Sequence, residues 1–353
     1  IDGQFQLVAG ALSSNAERAH ASAVELGIDP SRSYGSFAEM ATAEAARKDG
    51  IDVVVIVTPN HMHYPVAKTF LEAGIHVICD KPLTSKLEDA VALKALADKA
   101  GKIFILTHNY TGYPMIRQAR DMIENGQLGD IRQVHAEYTQ DWLSEEQDAD
   151  NKQAAWRTDP TQSGQGGSIG DIGTHAYNLL RFVTGLETAS LAADLTSFVE
   201  GRSLDDNANI LLRFKGGAKG ILWCSQVAVG NENNLVLRIY GAKGGLEWHQ
   251  ENPNQLWFTP LNQPKQLLTR GGAGASDAAN AVSRIPGGHP EGYLEGFATI
   301  YNGAAAAIRA VKNGESADEY LALLPSIDDG VEGMRFITAC VKSSKNDAGW
   351  ATL

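Results

Sequence analysis

Residues 51–60 read Ile-Asp-Val-Val-Val-Ile-Val-Thr-Pro-Asn. From Val53 to Val57 every side chain is apolar and β-branched. Such a run suits a strand buried on both faces, the condition of a parallel sheet covered by helices. Working outward, Phe5 to Leu12 reads as a strand, and Asn15 to Leu26 has helical spacing with Asn15 as its N-cap. Tyr64 to Ala73 and Leu87 to Ala100 read as helices, and Ile75 to Cys79 and Ile103 to Thr107 as strands. This alternation predicts a doubly wound, Rossmann-type α/β domain over residues 1–120.

Beyond residue 120 the pattern changes. Ile131 to Trp142 alternates as a strand does, and a Gly/Gln/Ser-rich loop runs from Ser163 to Gly170 before a helix from about Gly173 to Val183. Strand candidates then follow closely: Leu191–Val199, Ala208–Phe214, Lys219–Val227, Leu235–Gly241, Leu246–His249 and Leu256–Phe258. Gly-rich turns such as Lys215-Gly216-Gly217 separate them. After a loop over residues 271–288, Tyr293–Val311 and Ile327–Lys342 return to helical spacing. Residues 121–353 are therefore expected to form an α+β domain with a large, mostly antiparallel open sheet.

The 353 residues suit two domains. A formal charge of −12 repels phosphate backbones and argues against a nucleic-acid partner. No apolar run approaches the ~18–20 residues of a membrane span. Cys79, Cys224 and Cys340 are far apart in apolar surroundings and read as small buried hydrophobes, which fits a reducing, cytoplasmic setting. No His/Asp/Glu grouping has metal-ligand spacing. Ile1-Asp2-Gly3 is neither an initiator start nor a signal peptide, so the chain is expected to begin partway into its first domain, and export stays open.

Two segments carry chemistry. Thr58-Pro59-Asn60-His61-Met62-His63 and Cys79-Asp80-Lys81-Pro82 each follow the carboxyl end of a predicted parallel strand, where open α/β sheets bind ligands. Asn60, His63, Asp80 and Lys81 should then face one cleft. Lys81 could donate to a substrate oxygen while Asp80 takes a ribose hydroxyl; a surface lysine in a turn is the competing reading. The second segment is Gly166-Gly167-Ser168-Ile169-Gly170-Asp171-Ile172-Gly173-Thr174-His175. Asp171 and His175, four apart, share a face if both are helical. A histidine beside a carboxylate suits general acid/base work near neutral pH; helix capping by Asp171 and simple packing of His175 is the alternative.

Taken together, Thr-Pro-Asn, Asp-Lys-Pro and Gly-Gly-x-x-x-Asp-x-Gly-x-His resemble the Gfo/Idh/MocA oxidoreductases over nearly the whole chain. The resemblance implies an NAD(P)-dependent sugar or polyol dehydrogenase with Lys81, Asp171 and His175 as catalytic residues. His175 would exchange the hydroxyl proton, Lys81 would hold the same oxygen, and Asp171 would bind a substrate hydroxyl or tune Lys81. It also implies cofactor contacts at Thr58, Pro59, Asn60, His63, Asp80, Lys81, Asn109, Trp156 and Arg157, and substrate contacts at Tyr110, Gln140, Trp142 and His289. Four departures stand out: Asp80 for the usual Glu, Asn178 for a second Asp, Thr111 for Arg in His108-Asn109-Tyr110-Thr111, and no G-x-G-x-x-G. The opening strand resembles the family's second, so the glycine-loop segment is expected to be missing. Ser13 and Arg18 suit a 2′-phosphate, which leans the cofactor toward NADP over NAD. A redox glycosidase of the same fold and a non-catalytic dinucleotide-binding regulator are the rivals. The exposed face of the large sheet is the expected interface of a homodimer or homotetramer.

Overall fold

The computed structural model describes residues 1–146 and 151–353. Its first sheet is parallel, in the order β1-β2-β3, built from β1 (Val53–Ile56), β2 (His76–Cys79) and β3 (Phe104–Leu106). Four helices accompany it: α1 (Ala16–Glu25), α2 (Phe37–Ala46), α3 (His63–Glu72) and α4 (Leu87–Ala100). Helix α3 buries Val66, Ala67, Phe70 and Leu71, and α4 buries Ala90, Leu93 and Ala97, the three-and-four spacing of one helical face. Gly101, at φ 59°, ends α4 in the left-handed conformation.

Strand β2 is buried throughout, as the β-branched pattern of its neighbour predicts for the sheet. Val77 and Cys79 join the core containing Phe70 and Leu93. Ile78 turns the other way, into a second cluster with Ile300, Ala304, Ala307 and Ile308. Those four belong to a late helix, residues 293–312, so the chain returns to cover the sheet it began.

The expected strand at Phe5–Leu12 is not formed. Among the described residues only Gly10 pairs, through one parallel bridge to Ser33. A strand needs a neighbour along its length to satisfy its backbone groups, and the outer edge of β1 is open, with Val55 42% and Val57 69% exposed. The opening residues are held by side chains instead. Asp2 pairs with Arg284 at 2.6 Å and accepts from Asn302, Gln4 accepts from Arg309, and Phe5 meets Tyr301 edge-on.

The second sheet has nine strands: β4 (Ile131–Thr139), β5 (Thr188–Thr196), β6 (Asn207–Phe214), β7 (Lys219–Ser225), β8 (Asn234–Gly241), β9 (Gly244–His249), β10 (Gln255–Pro260), β11 (Gln266–Thr269) and β12 (Ala351–Thr352). Their order is β11-β10-β9-β8-β4-β7-β6-β5-β12, antiparallel except for the parallel pair β4–β7. Strand β6 shows why one face is core: Ala208, Ile210, Leu212 and Phe214 are buried while Asn209, Leu211 and Arg213 face outward. The edge strands β11 and β12 carry too short a pattern to be read from the sequence.

Four more long helices complete the chain: α5 (Pro114–Glu124), α6 (Thr174–Thr184), α7 (Tyr293–Lys312) and α8 (Ile327–Lys345). Helix α8 packs against β5, α4 and α6, and just before it Pro325 O accepts from Leu106 N–H at 3.0 Å. That seam holds the carboxyl ends of the parallel strands against the large sheet. Among the described residues, no helix is long and apolar enough to cross a membrane.

Candidate active site

Three turns at the carboxyl ends of β1, β2 and β3 supply one wall of a cleft. They carry Thr58–His63, Asp80–Lys81 and Thr107–Tyr110. Opposite stands the segment leading into α6. It forms a single π-helical turn, Ile169–Gly173, followed by α6 with His175 in its first turn. One-turn π-bulges are rare and recur at functional sites. Here the turn carries Asp171, so Asp171 and His175 reach the cleft through a widened turn rather than along a regular α-helical face.

The turn is held by Asp205, a buried residue just before β6 that sequence reasoning missed. Its carboxylate accepts from Gly167 N–H at 2.7 Å, Ser168 Oγ at 2.7 Å and Ile169 N–H at 2.8 Å, and its carbonyl accepts from Ser168 N–H. This close approach explains the glycine pair, since a β-carbon at Gly167 would lie 2.1 Å from Asp205 O. Gly164 has φ +102° and sits against the backbone of Ser85, a place no larger residue takes without strain.

Two adjoining cavities share Asp80, Lys81, Gln153, Arg157 and Asp171. The first, about 520 Å³, adds Thr107, Asn109, Tyr110, Tyr138, Gln140, Trp142, Ile172, His175, Asn233, Tyr293 and Phe297. The second, about 420 Å³, adds Val57, Thr58, Pro59, Asn60, His63 and Trp156. Among the residues the resemblance nominated, all the cofactor candidates but three line the second cavity. Asn109 lines the first, while Ser13 and Arg18 lie at the start of α1 and line neither. Of the substrate candidates, Tyr110, Gln140, Trp142, Asp171 and His175 come together and His289 does not. It is exposed, and Tyr293 and Phe297 of α7 occupy that side of the cavity.

Lys81 Nζ donates to Asp171 Oδ1 at 2.9 Å and to the Asp171 carbonyl. Arg157 lies 3.3 Å from Asp171 Oδ2, over the face of Trp156, and Gln226 donates to the same oxygen at 2.9 Å. Burial works to raise the Asp171 carboxyl, but Lys81 and Arg157 outweigh it and hold the group below the usual carboxylate range. It is therefore an anion with every partner accounted for, as a buried charge requires.

His175 sits in an aromatic box. Its ring meets Tyr110 at 5.0 Å, His108 at 5.4 Å and Tyr138 at 6.2 Å, all edge-to-face. Burial, then Lys81 and His108, push its pKa well below the ordinary value. The ring is neutral near pH 7 and free to take a proton. His108 is likewise pulled down, to about 3, by burial and Lys81. Beyond His175 runs a polar chain: Tyr110 and Tyr138 hydroxyls 2.6 Å apart, Tyr138 donating to Asn233 Oδ1 at 2.8 Å, and Gln140 donating to the same oxygen at 2.8 Å. Asn233, on the turn before β8, carries no sequence signal. Neither do Tyr138 or Gln226, whose roles arise only where strands align.

Residues 2–119 match the oxidoreductase family with an NAD-binding Rossmann fold, and residues 116–247 match the GFO/IDH/MocA C-terminal domain. The uncharacterized oxidoreductase YfiI of Bacillus subtilis is 40% identical over 350 residues, covering 98% of this chain and 89% of that protein. An oxidoreductase from Sinorhizobium meliloti is 58% identical with TM-score 0.90, covering 99% of this chain and 93% of its own. An inositol dehydrogenase homologue from Azotobacter vinelandii, solved with NADH and myo-inositol, is 37% identical with TM-score 0.91 over 99% of this chain and 90% of its own. With its parallel sheet, its large open sheet and these matches along its length, the chain belongs to the Gfo/Idh/MocA family of NAD-binding oxidoreductases.

Proposed function

We propose that this oxidoreductase interconverts a hydroxyl and a ketone on a sugar or cyclic polyol, with Lys81, Asp171 and His175 as its catalytic groups. The observation that carries the reading is the convergence of these three side chains on one cavity that opens into a second at the strand ends. The second cavity carries groups suited to part of a dinucleotide. Thr58 on its wall and Asn109 in the adjoining first cavity each hold a buried polar atom, Oγ1 and Nδ2, without a partner among the described residues, in keeping with a bound carboxamide or ribose. Asp80, held by Thr107 Oγ1 at 2.5 Å, presents a carboxylate for ribose hydroxyls.

A nicotinamide bound there supplies the hydride acceptor or donor. The chain supplies the rest. Lys81 donates to the reacting oxygen, and Asp171 fixes the amine by its ion pair. Neutral His175 takes the hydroxyl proton in the oxidative direction and returns it in reduction. Tyr110, Gln140 and Asn233 offer donors and acceptors to further hydroxyls, and Trp142, Tyr293 and Phe297 offer faces for a ring's C–H groups. Myo-inositol, bound by the Azotobacter vinelandii homologue, is of this chemical class. For the cofactor we favour NADP, on Arg18 and Ser13 beside the first turn of α1.

The exposed face of the large sheet carries Leu211, Ile221, Tyr240 and Leu267, each 40–50% exposed. That face serves a homo-oligomer in this reading.

The test is a cofactor-reduction screen over sugars and inositols with NAD and NADP, comparing wild type with Lys81→Ala and His175→Ala. Each variant should lose turnover by about a hundredfold or more while binding cofactor. Undiminished turnover in either variant rejects the assignment. Accumulation of reduced cofactor also separates a dehydrogenase from a redox glycosidase, which returns its hydride within each cycle.

A further inference from the structure

The chemistry above makes no use of His63. This residue opens α3 at the second cavity and is 1% exposed. Its Nδ1 lies 2.7 Å from Pro82 O, and its Nε2 lies 2.9 Å from Thr58 O. Carbonyl oxygens only accept, and a neutral imidazole carries one N–H. With one proton, one of these contacts sets a nitrogen lone pair against an oxygen lone pair. Only a ring protonated on both nitrogens satisfies the two carbonyls together.

The charged groups around it are few. Burial is the largest influence and, with Lys81, draws the ring's pKa below its ordinary value against the pull of the Pro82 and Thr58 carbonyls and the Asp80 carboxylate. Across the cleft, Arg157 and Asp171 are already paired. Against burial stands the geometry: both contacts are short and neither carbonyl can reverse its role.

We propose that His63 is a doubly protonated staple that ties the loop after β1 to the Lys81-Pro82 turn, and so sets the cofactor wall relative to the Lys81 amine. It is a positioning residue. One N–H holds the carbonyl of Thr58, a residue that lines the second cavity; the other holds the residue that follows Lys81. Loss of a ring proton at high pH leaves one carbonyl without a donor and loosens the cleft.

The direct test is ¹⁵N spectroscopy of the full chain labelled in its histidine rings, at about pH 7.5. Two protonated ring nitrogens with slowly exchanging N–H protons are expected for His63. A neutral-tautomer pattern overturns the proposal. The second test measures NADH dissociation constants from about pH 6 to 10 for wild type, His63→Gln and His63→Leu. The glutamine amide has two N–H donors and does not titrate. Wild type should weaken by about tenfold as the ring loses a proton, His63→Gln should be flat with pH, and His63→Leu should be about tenfold weaker throughout. Coincident pH profiles for wild type and His63→Gln, or unchanged binding by His63→Leu, overturn it. If His63→Leu does not fold, the ring spectrum and the glutamine profile still decide. The binding arm rests on reading the cleft as a dinucleotide site and the spectrum does not. Failure of wild type to bind NADH would therefore count against that reading and leave the staple to the spectrum.

Discussion

Replacing Asp171 by asparagine isolates the charge that organises the site while keeping its shape. One carboxylate oxygen faces Lys81 at 2.9 Å; the other faces Gln226 at 2.9 Å and Arg157 at 3.3 Å. All three partners are donors. An amide presents one oxygen and one NH₂, so in either orientation a donor meets a donor. A hydrogen bond to a charged group is worth about 1.5–3 kcal/mol. Losing one on the side of Lys81 or Arg157 should lower kcat/KM by about ten- to a hundredfold. Steady-state kinetics on wild type and Asp171→Asn measure the effect, and an unchanged kcat/KM would refute the claim that this carboxylate holds the lysine in place.

The depressed pKa of His175 has its own signature: oxidation should stay level through the ordinary histidine range near 6.5 and fall only at lower pH, as the ring takes a proton. An acid limb centred at the ordinary value would contradict the burial argument. Arg18→Ala should weaken NADPH by more than NADH, read as a ratio of dissociation constants; equal effects on both would remove the 2′-phosphate reading. Leu211→Glu, on the outer sheet face, should lower the molecular mass found by light scattering without lowering thermal stability by more than a few degrees, since that side chain is half exposed in the chain alone.

Much of the nucleotide domain is legible in the sequence because its signals are local. A β-branched run, a three-and-four spacing and a terminal glycine act within a turn or a strand, and the helices α3, α4, α7 and α8 begin within a residue of where those signals place them. The motifs around Lys81 and His175 are also local, so their residue types and order announce the family. The opening stretch Phe5–Leu12 shows the limit. Its composition suits a strand, yet a strand is completed by the neighbour it bonds to, and among the described residues it finds only Ser33.

Chain-distant contacts decided the rest of the site. Asp205 pins the turn of Asp171 from a loop more than thirty residues on, and Gln226 braces the same carboxylate from the end of β7. Asn233 enters the cavity because β8 pairs with β4 in a register that sets it beside Gln140 and Tyr138. Tyr293 and Phe297 enter because α7 folds back over the first sheet, whereas the nearby His289 stays in solvent. Periodicity and propensity describe how a residue relates to the next few along the chain. A cavity is a relation among residues that only packing and strand register bring within reach of one another, and no local spacing carries that information.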